Sequence, residues 1–235
     1  MAEITASLLR EPSEAEQAAR AQELDEIERR REATKRQGLF ADFIGDRRQY
    51  EDCHFGGWIA KTSAQKAVIG ALGDYCDQLP AHYRAGEGCL FYGPPGTGKD
   101  YLATIVAREA CLTHGLKCKF INGMDLFVRL RDSMDNERTS EVGIVNELVR
   151  CSFLVVSDPL PPTGDLTPYQ ASMLYRLVDD RNSRGLPTIV TLNVSSGEEA
   201  IRRMGGATWD RIRHNAWAFA CNWPSFRKPA RVIGE

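Results

Sequence analysis

Two hydrophobic rhythms divide the chain. Residues 13–38 alternate acids and bases around a thin apolar stripe, Ala15, Ala19, Leu24 and Ile27, which predicts a helix. Ser13 with Glu16 three positions later has the form of a capping box, and Gly38 is expected to close the run. A helix with so narrow a stripe buries too little to hold itself firmly on a core. It reads either as a solvated spacer or as a partner-binding arm that orders on contact. From about Tyr50 onward short apolar runs alternate with helical stretches, the signature of an α/β domain with a parallel sheet. The pattern predicts strands over residues 89–92, 118–121, 153–156, 188–192 and 216–220. It predicts helices over 63–78 (stopped by Pro80), from residue 99 through Ala110 with Gly115 as C-cap, and over 168–182. Residues 124–150 read as helical with a break near Asp135 and Asn136, and short helices precede the last strand. Residues 1–46 are thus an N-terminal helical extension and 47–235 the main domain.

Composition adds little to this and excludes several classes. With 43% hydrophobic and 26% charged residues the chain is of ordinary globular type. A formal net charge of -2 excludes a polycation that coats nucleic acid by bulk attraction. The sign is uneven: Arg202, Arg203, Arg211, Arg213, Arg227, Lys228 and Arg231 face only Asp210 and Glu235 in the last stretch. Any nucleic-acid contact is therefore local and salt-sensitive, and a solvated basic face is the alternative reading. The seven cysteines are scattered without a CxxC pair, which argues for a reducing compartment; Cys53 beside His54 lacks the second pair a zinc site needs. The first ten residues are too polar for a signal peptide, and no apolar run approaches about 18 residues. The expectation is a cytoplasmic protein with no membrane partner.

The strongest chemical signal is Gly93, Pro94, Pro95, Gly96, Thr97, Gly98 and Lys99, between an expected strand and an expected helix. Glycines let backbone N–H groups turn inward around phosphates, and the following helix aims its positive end at the same anion. Lys99 supplies a point charge for the β- and γ-phosphates, so ATP with Mg²⁺ is the expected cofactor. The next position departs from the motif. A Ser or Thr hydroxyl ordinarily meets Mg²⁺ there, and this chain has Asp100, followed by Tyr101. A second departure lies at the end of the strand over 153–156. In the usual register Ser157 stands where the metal-binding acid belongs, and Asp158 takes the place of the general base. Three readings stay open: a reciprocal exchange in which the loop gives the carboxylate and the strand the hydroxyl, a degenerate site that binds nucleotide and turns it over poorly, and a one-residue shift that makes Asp158 the metal acid. Asn193, at the end of the strand over 188–192, is placed to orient an attacking water, with a structural Asn turn as the alternative reading. Arg211, with Arg213 as fallback, is placed on a short helix from which it can reach a neighbouring subunit's nucleotide, which implies a homo-oligomer. Asp210 can instead pair with one of these arginines at the surface.

These residues, taken in order, resemble the DnaC/IstB family of AAA+ P-loop ATPases. The likeness covers about residues 47–231. It rests on Arg48, Gln49, Tyr50, Glu51, Asp52, Cys53, His54 and Phe55 before the core, the phosphate loop, the strand ending at Asp158, Arg181 through Asn193 with Pro187 and Thr188, and Trp209, Asp210, Arg211 and Ile212. The closing Asn222, Trp223, Pro224, Ser225, Phe226 and Arg227 and the entry motif are more similar to DnaC than to IstB. Ser157 and Pro159 depart from both. The resemblance implies a parallel five-stranded sheet flanked by helices, and residues 221–235 are too few for the helical lid most AAA+ proteins carry. It further implies an N-terminal arm that grips a replicative DNA helicase, and single-stranded DNA binding over residues 124–150. There Arg129, Arg131 and Arg138, with Phe127, are candidates to track a strand. A transposition helper of the IstB kind and a nucleotide-binding adaptor with little hydrolysis are the alternative functions.

Overall fold

The computed structural model describes residues 13–133 and 140–228. Arg138, Arg231 and the expected break at Asp135 and Asn136 lie outside the described residues.

Five runs that are apolar and rich in β-branched or aromatic residues form the sheet: β1 (Gly88–Tyr92), β2 (Cys118–Asn122), β3 (Phe153–Ser157), β4 (Thr188–Leu192) and β5 (Ala216–Ala220). Every pairing is parallel and the order is β2-β3-β4-β1-β5. β3 and β4 are buried along their whole length, as central strands covered on both faces must be.

The long N-terminal helix α1 (Glu14–Ile44) starts with the expected capping box: Ser13 Oγ accepts from the Glu16 N–H, and the Glu16 carboxylate accepts from the Ser13 N–H. Gly38 does not end it. The helix continues to Ile44 and is capped at Gly45, because Phe40, Phe43 and Ile44 bury themselves against the core. That burial outweighs the roughly 1 kcal/mol that an interior glycine costs. The expected stripe does not pack: Leu24 and Ile27 are exposed.

α2 (Ser63–Asp77) follows a Thr62–Gln65 capping box. Pro80 stops it as expected, but also opens a separate short helix, α3 (Leu79–Ala85). A proline in the first helical turn loses no hydrogen bond and has its φ already set. α4 (Lys99–Leu112) leads from the phosphate loop to β2, and Gly115 closes the turn with φ +64°. α5 (Gly123–Asp132) and α6 (Glu141–Val149) stand between β2 and β3, and α7 (Pro168–Ser183) between β3 and β4. The short α8 (Gly197–Met204) and α9 (Gly206–Arg213) precede β5.

Two cores sandwich the sheet. One joins the root of α1 with α2 and α4; the other joins α5, α6, α7 and the α8–α9 pair. Phe127 is 5% exposed and belongs to the second core, so it is not available to stack on a nucleic-acid base. Arg181 is fully buried and faces carbonyls rather than a carboxylate. Its guanidinium donates to Leu148 O at 2.9 Å, Cys151 O at 3.0 Å and Pro187 O at 2.6 Å, and to Thr188 Oγ1 at 3.0 Å. Those acceptors include the otherwise orphaned C-terminal carbonyls of α6, which it ties to α7 and β4. All seven cysteines are free and buried.

Candidate nucleotide site

Because the sheet is parallel, β1, β3 and β4 end on the same edge, where ligands of such folds bind. Three loops meet there. Residues 93–99 leave β1, wrap, and enter α4 at Gly98, its N-cap with φ +86°. Gly96 also has a positive φ, +79°, and a side chain there would meet Ser225 Oγ at 2.1 Å; one at Gly98 would meet the Trp58 ring at 2.7 Å. The loop is therefore a close-packed cradle built around missing Cβ atoms. The segment after β5 braces it from outside: the Phe226 N–H donates to Gly96 O at 2.8 Å and Trp223 Nε1–H to Thr97 O at 3.0 Å. Trp58 packs on Tyr101, Trp223 and Phe226.

Lys99 is 6% exposed and donates from Nζ to Gly93 O at 3.0 Å and Pro94 O at 2.8 Å. An ammonium has three protons, so one remains for an anion in the loop. Burial pulls its pKa down, while Asp158 pushes the other way.

Asp100 sits in the first turn of α4, where the helix dipole favours an anion. Its carboxylate accepts from Ser157 Oγ at 2.9 and 3.0 Å and from Thr191 Oγ1 at 2.8 Å. Ser157, the last residue of β3, is the strand residue that faces the loop. Asp158 comes next in the left-handed region, φ 43°, with its N–H held by Thr191 O at 3.1 Å. Its Oδ1 is buried without a hydrogen-bond partner. Burial, and then the neighbouring Asp100, raise the Asp158 pKa above the ordinary carboxylate value, with Lys99 and Asn193 opposing.

Gly96, Gly98, Lys99, Asp100, Tyr101, Asp158 and Asn193 line one cleft of about 160 Å³. Pro94, Pro95 and Thr97 shape its wall through the loop, and the Thr97 hydroxyl is spent on Pro94 O at 3.0 Å. The cleft is smaller than the roughly 300 Å³ at which pockets begin to enclose drug-sized ligands. Its lining of loop glycines, Lys99 and Asp100 is of the kind that suits phosphates. A larger hollow of about 470 Å³ beside Lys117, Lys119 and Glu147 holds none of the expected nucleotide-site residues.

Tyr50, Thr191 and Arg227 also belong to the site, although no local motif gives any of them a role there. Tyr50 and Arg227 line the cleft, and Thr191 lies beneath it. Arg47, just before Tyr50, stacks its guanidinium on Phe120 at 3.4 Å; burial pulls its pKa down to about 10, and Asp100 counteracts this.

Arg211 is not in the cleft. It pairs with Asp179 at 2.8 Å on the α7–α9 surface, and Arg213 pairs with Asp210 at 3.3 Å. Much of the basic final stretch is paired within the chain. Arg202 meets Asp165 at 3.3 Å, and the buried Arg203 donates to Gly164 O at 3.0 Å and Asn193 O at 3.3 Å. On α5, Arg129 pairs with Glu147 at 2.9 Å and Arg131 lies near Asp132 at 3.9 Å.

The residues present suit a magnesium–nucleotide complex: a glycine cradle, a lysine with a free proton, and an unpartnered buried carboxylate oxygen at Asp158. Lys99 and the loop amides would hold phosphates, Asp100, Ser157 and Asp158 the cation. The cation supplies charge neutralisation for the phosphates. Among the described residues no group of three or more His, Cys, Asp or Glu side chains is gathered to hold a metal ion.

No curated protein matches the chain. The fold is similar to that of the DnaC helicase loader (20% identity, TM-score 0.66), with 73% of this chain and 98% of that one covered. It is also similar to a Streptococcus pyogenes serotype M3 protein described as a primosome component (19% identity, TM-score 0.61, covering 76% and 90%). DnaI is comparable at 17% identity and TM-score 0.61, covering 77% and 93%. The family model of IstB-like ATP binding proteins matches residues 79–232, from α3 to beyond the brace over the phosphate loop. With the loop, the strand order and that match together, the chain belongs to the DnaC/IstB family of AAA+ ATP-binding proteins.

Proposed function

We propose that the chain is a helicase loader of the DnaC kind, which binds ATP and Mg²⁺, assembles on single-stranded DNA and delivers a replicative DNA helicase in the cytoplasm. The observation that carries this reading is the path from α1 to the nucleotide. α1 is exposed along its outer two thirds, is rooted in the core at Phe40, Phe43 and Ile44, and is followed within six residues by Tyr50 in the cleft. An arm so placed can exchange information with a bound nucleotide, which a spacer has no need to do. The likeness in fold to the DnaC loader and to DnaI supports the same reading. Among the described residues no helix is long and apolar enough to cross a membrane. In this reading residues 1–46 are the helicase-binding arm and 47–235 the ATPase domain. Asp158 activates water that Asn193 orients, and Arg211 acts on a neighbour's nucleotide.

The match to the IstB-like model favours a second reading, a transposition helper that binds duplex DNA and a transposase. ATP hydrolysis by the pure protein, measured with single-stranded and with duplex DNA beside a helicase pull-down, separates the two. Stimulation by single strands with helicase capture supports the loader. Stimulation by duplex alone, without capture, sinks it in favour of the transposition helper.

A further inference from the structure

In P-loop NTPases the loop offers Mg²⁺ a Ser or Thr hydroxyl and the neighbouring strand offers an Asp. In this chain the loop carries Asp100 and β3 ends in Ser157, and the two side chains touch at 2.9 and 3.0 Å. The contact survives with its members exchanged. The charge also survives: Lys99, Asp100 and Asp158 amount to one cation and two carboxylates, the set an ordinary site has. A site that had merely lost its metal acid would have no reason to gain a carboxylate opposite the lost one.

A third group completes the arrangement. Ser157 and Thr191 are paired in register on adjacent strands, and Thr191 Oγ1 donates to Asp100 at 2.8 Å. Two hydroxyls from two strands thus aim their protons at one carboxylate in the first turn of α4. A carboxylate offers about four lone-pair positions, so acceptor capacity remains for a cation, and each hydroxyl oxygen keeps its lone pairs.

We propose that Asp100 is the carboxylate through which this protein holds the Mg²⁺ of a bound nucleotide, and that Ser157 and Thr191 are the positioning residues that orient it. The inference rests on the ATP-binding reading of the cleft and deepens it.

The test is the gain in affinity for a fluorescent ADP when Mg²⁺ replaces EDTA, with the Mn²⁺ paramagnetic resonance signal as an independent view of the cation. Thermal unfolding confirms that each variant is folded. The wild-type gain is expected to be at least about tenfold. Asp100→Asn, which keeps the shape and removes the charge, is expected to lose most of it, as is Asp100→Thr. Ser157→Asp sets carboxylate against carboxylate and also weakens the gain. The double variant Asp100→Thr/Ser157→Asp is expected to return to within about threefold of wild type, a coupling typical of groups in contact. Full retention of the gain by Asp100→Asn overturns the inference, as does a double variant no better than its worse parent. ADP binding by wild type that ignores Mg²⁺ overturns the inference alone. Absence of ADP binding under either condition overturns the ATP-binding reading with it.

Discussion

Asp158 combines two costs that only a function repays. Its backbone lies in the left-handed region, and its carboxylate is buried with one oxygen unpartnered beside Asp100. Its raised pKa means that, in a window above the ordinary carboxylate value, the folded chain keeps a proton the unfolded chain has released. Stability therefore falls as pH rises through that window, and the penalty is complete above it. Asparagine has no charge to desolvate and is tolerated at such φ values. Asp158→Asn is accordingly expected to stabilise the nucleotide-free protein by about 1 kcal/mol at neutral pH, the size common when a functional site is relaxed. The advantage is expected to shrink as pH falls through the raised value. Urea unfolding across a pH series checks this, and an advantage that grows in acid contradicts it. The same variant should lose hydrolysis by at least about a hundredfold, since a positioned base contributes that much.

At the scale of elements, α1 has two parts with different physics. Phe40 and Phe43 are 7% and 3% exposed, whereas Leu24 is 61% exposed. Phe43→Ala is expected to cost about 3–5 kcal/mol, the range for a buried aromatic. Leu24→Ser with Ile27→Ser should stay within about 0.5 kcal/mol of wild type in urea unfolding, as exposed substitutions do. If the outer part is a partner-binding arm, that double variant loses helicase capture while remaining folded. Equal capture by both proteins argues for a spacer. Arg181 makes the opposite kind of prediction. Arg181→Met strips donors from several buried carbonyls at once, and each orphaned group costs about 1–3 kcal/mol. The protein should unfold at markedly lower urea, with the α6–α7 region exchanging amide hydrogens first.

The elements also show what one sequence can disclose. The strands are legible because each is a short, mainly apolar run between turn signals, with Lys119 the charged interruption in β2, and the phosphate loop is legible because its spacing is local. Gly38 is misread and Pro80 is read only in part, for a shared reason: both are punctuation whose meaning depends on context. Gly38 is overruled by the apolar residues after it, and Pro80 opens a helix as well as ending one. Phe127 looked available beside three arginines and is instead a core residue. Thr191 escaped because its role arises only when β4 lies beside β3 and places it opposite Ser157. No local pattern carries that adjacency. Asp100 and Ser157 are readable as two departures from the motif, and only the fold shows that their side chains touch.

For the whole molecule the decisive question is whether nucleotide sites are shared between copies. Arg211 lies on the α7–α9 surface, outside its own cleft, so any action on a nucleotide must be on another subunit's. Its bond to Asp179 does not forbid this, because the pair is only half-buried and a surface ion pair is readily exchanged for a phosphate. Arg211→Ala and Lys99→Ala are each expected to abolish DNA-stimulated hydrolysis when assembled alone. They fail for different reasons: one lacks the group given to a neighbour, the other the group kept at home. Mixed in equal amounts, some interfaces join a chain with an intact Lys99 to a neighbour with an intact Arg211. Random assembly puts these at about one quarter of interfaces, so about a quarter of wild-type turnover should return if the arginine acts in trans. An arginine acting within its own chain, or one that merely holds α9 to α7, gives no recovery at any mixing ratio. Recovery that peaks at equal mixing and vanishes at either extreme would place the catalytic unit at the interface between two copies of this chain.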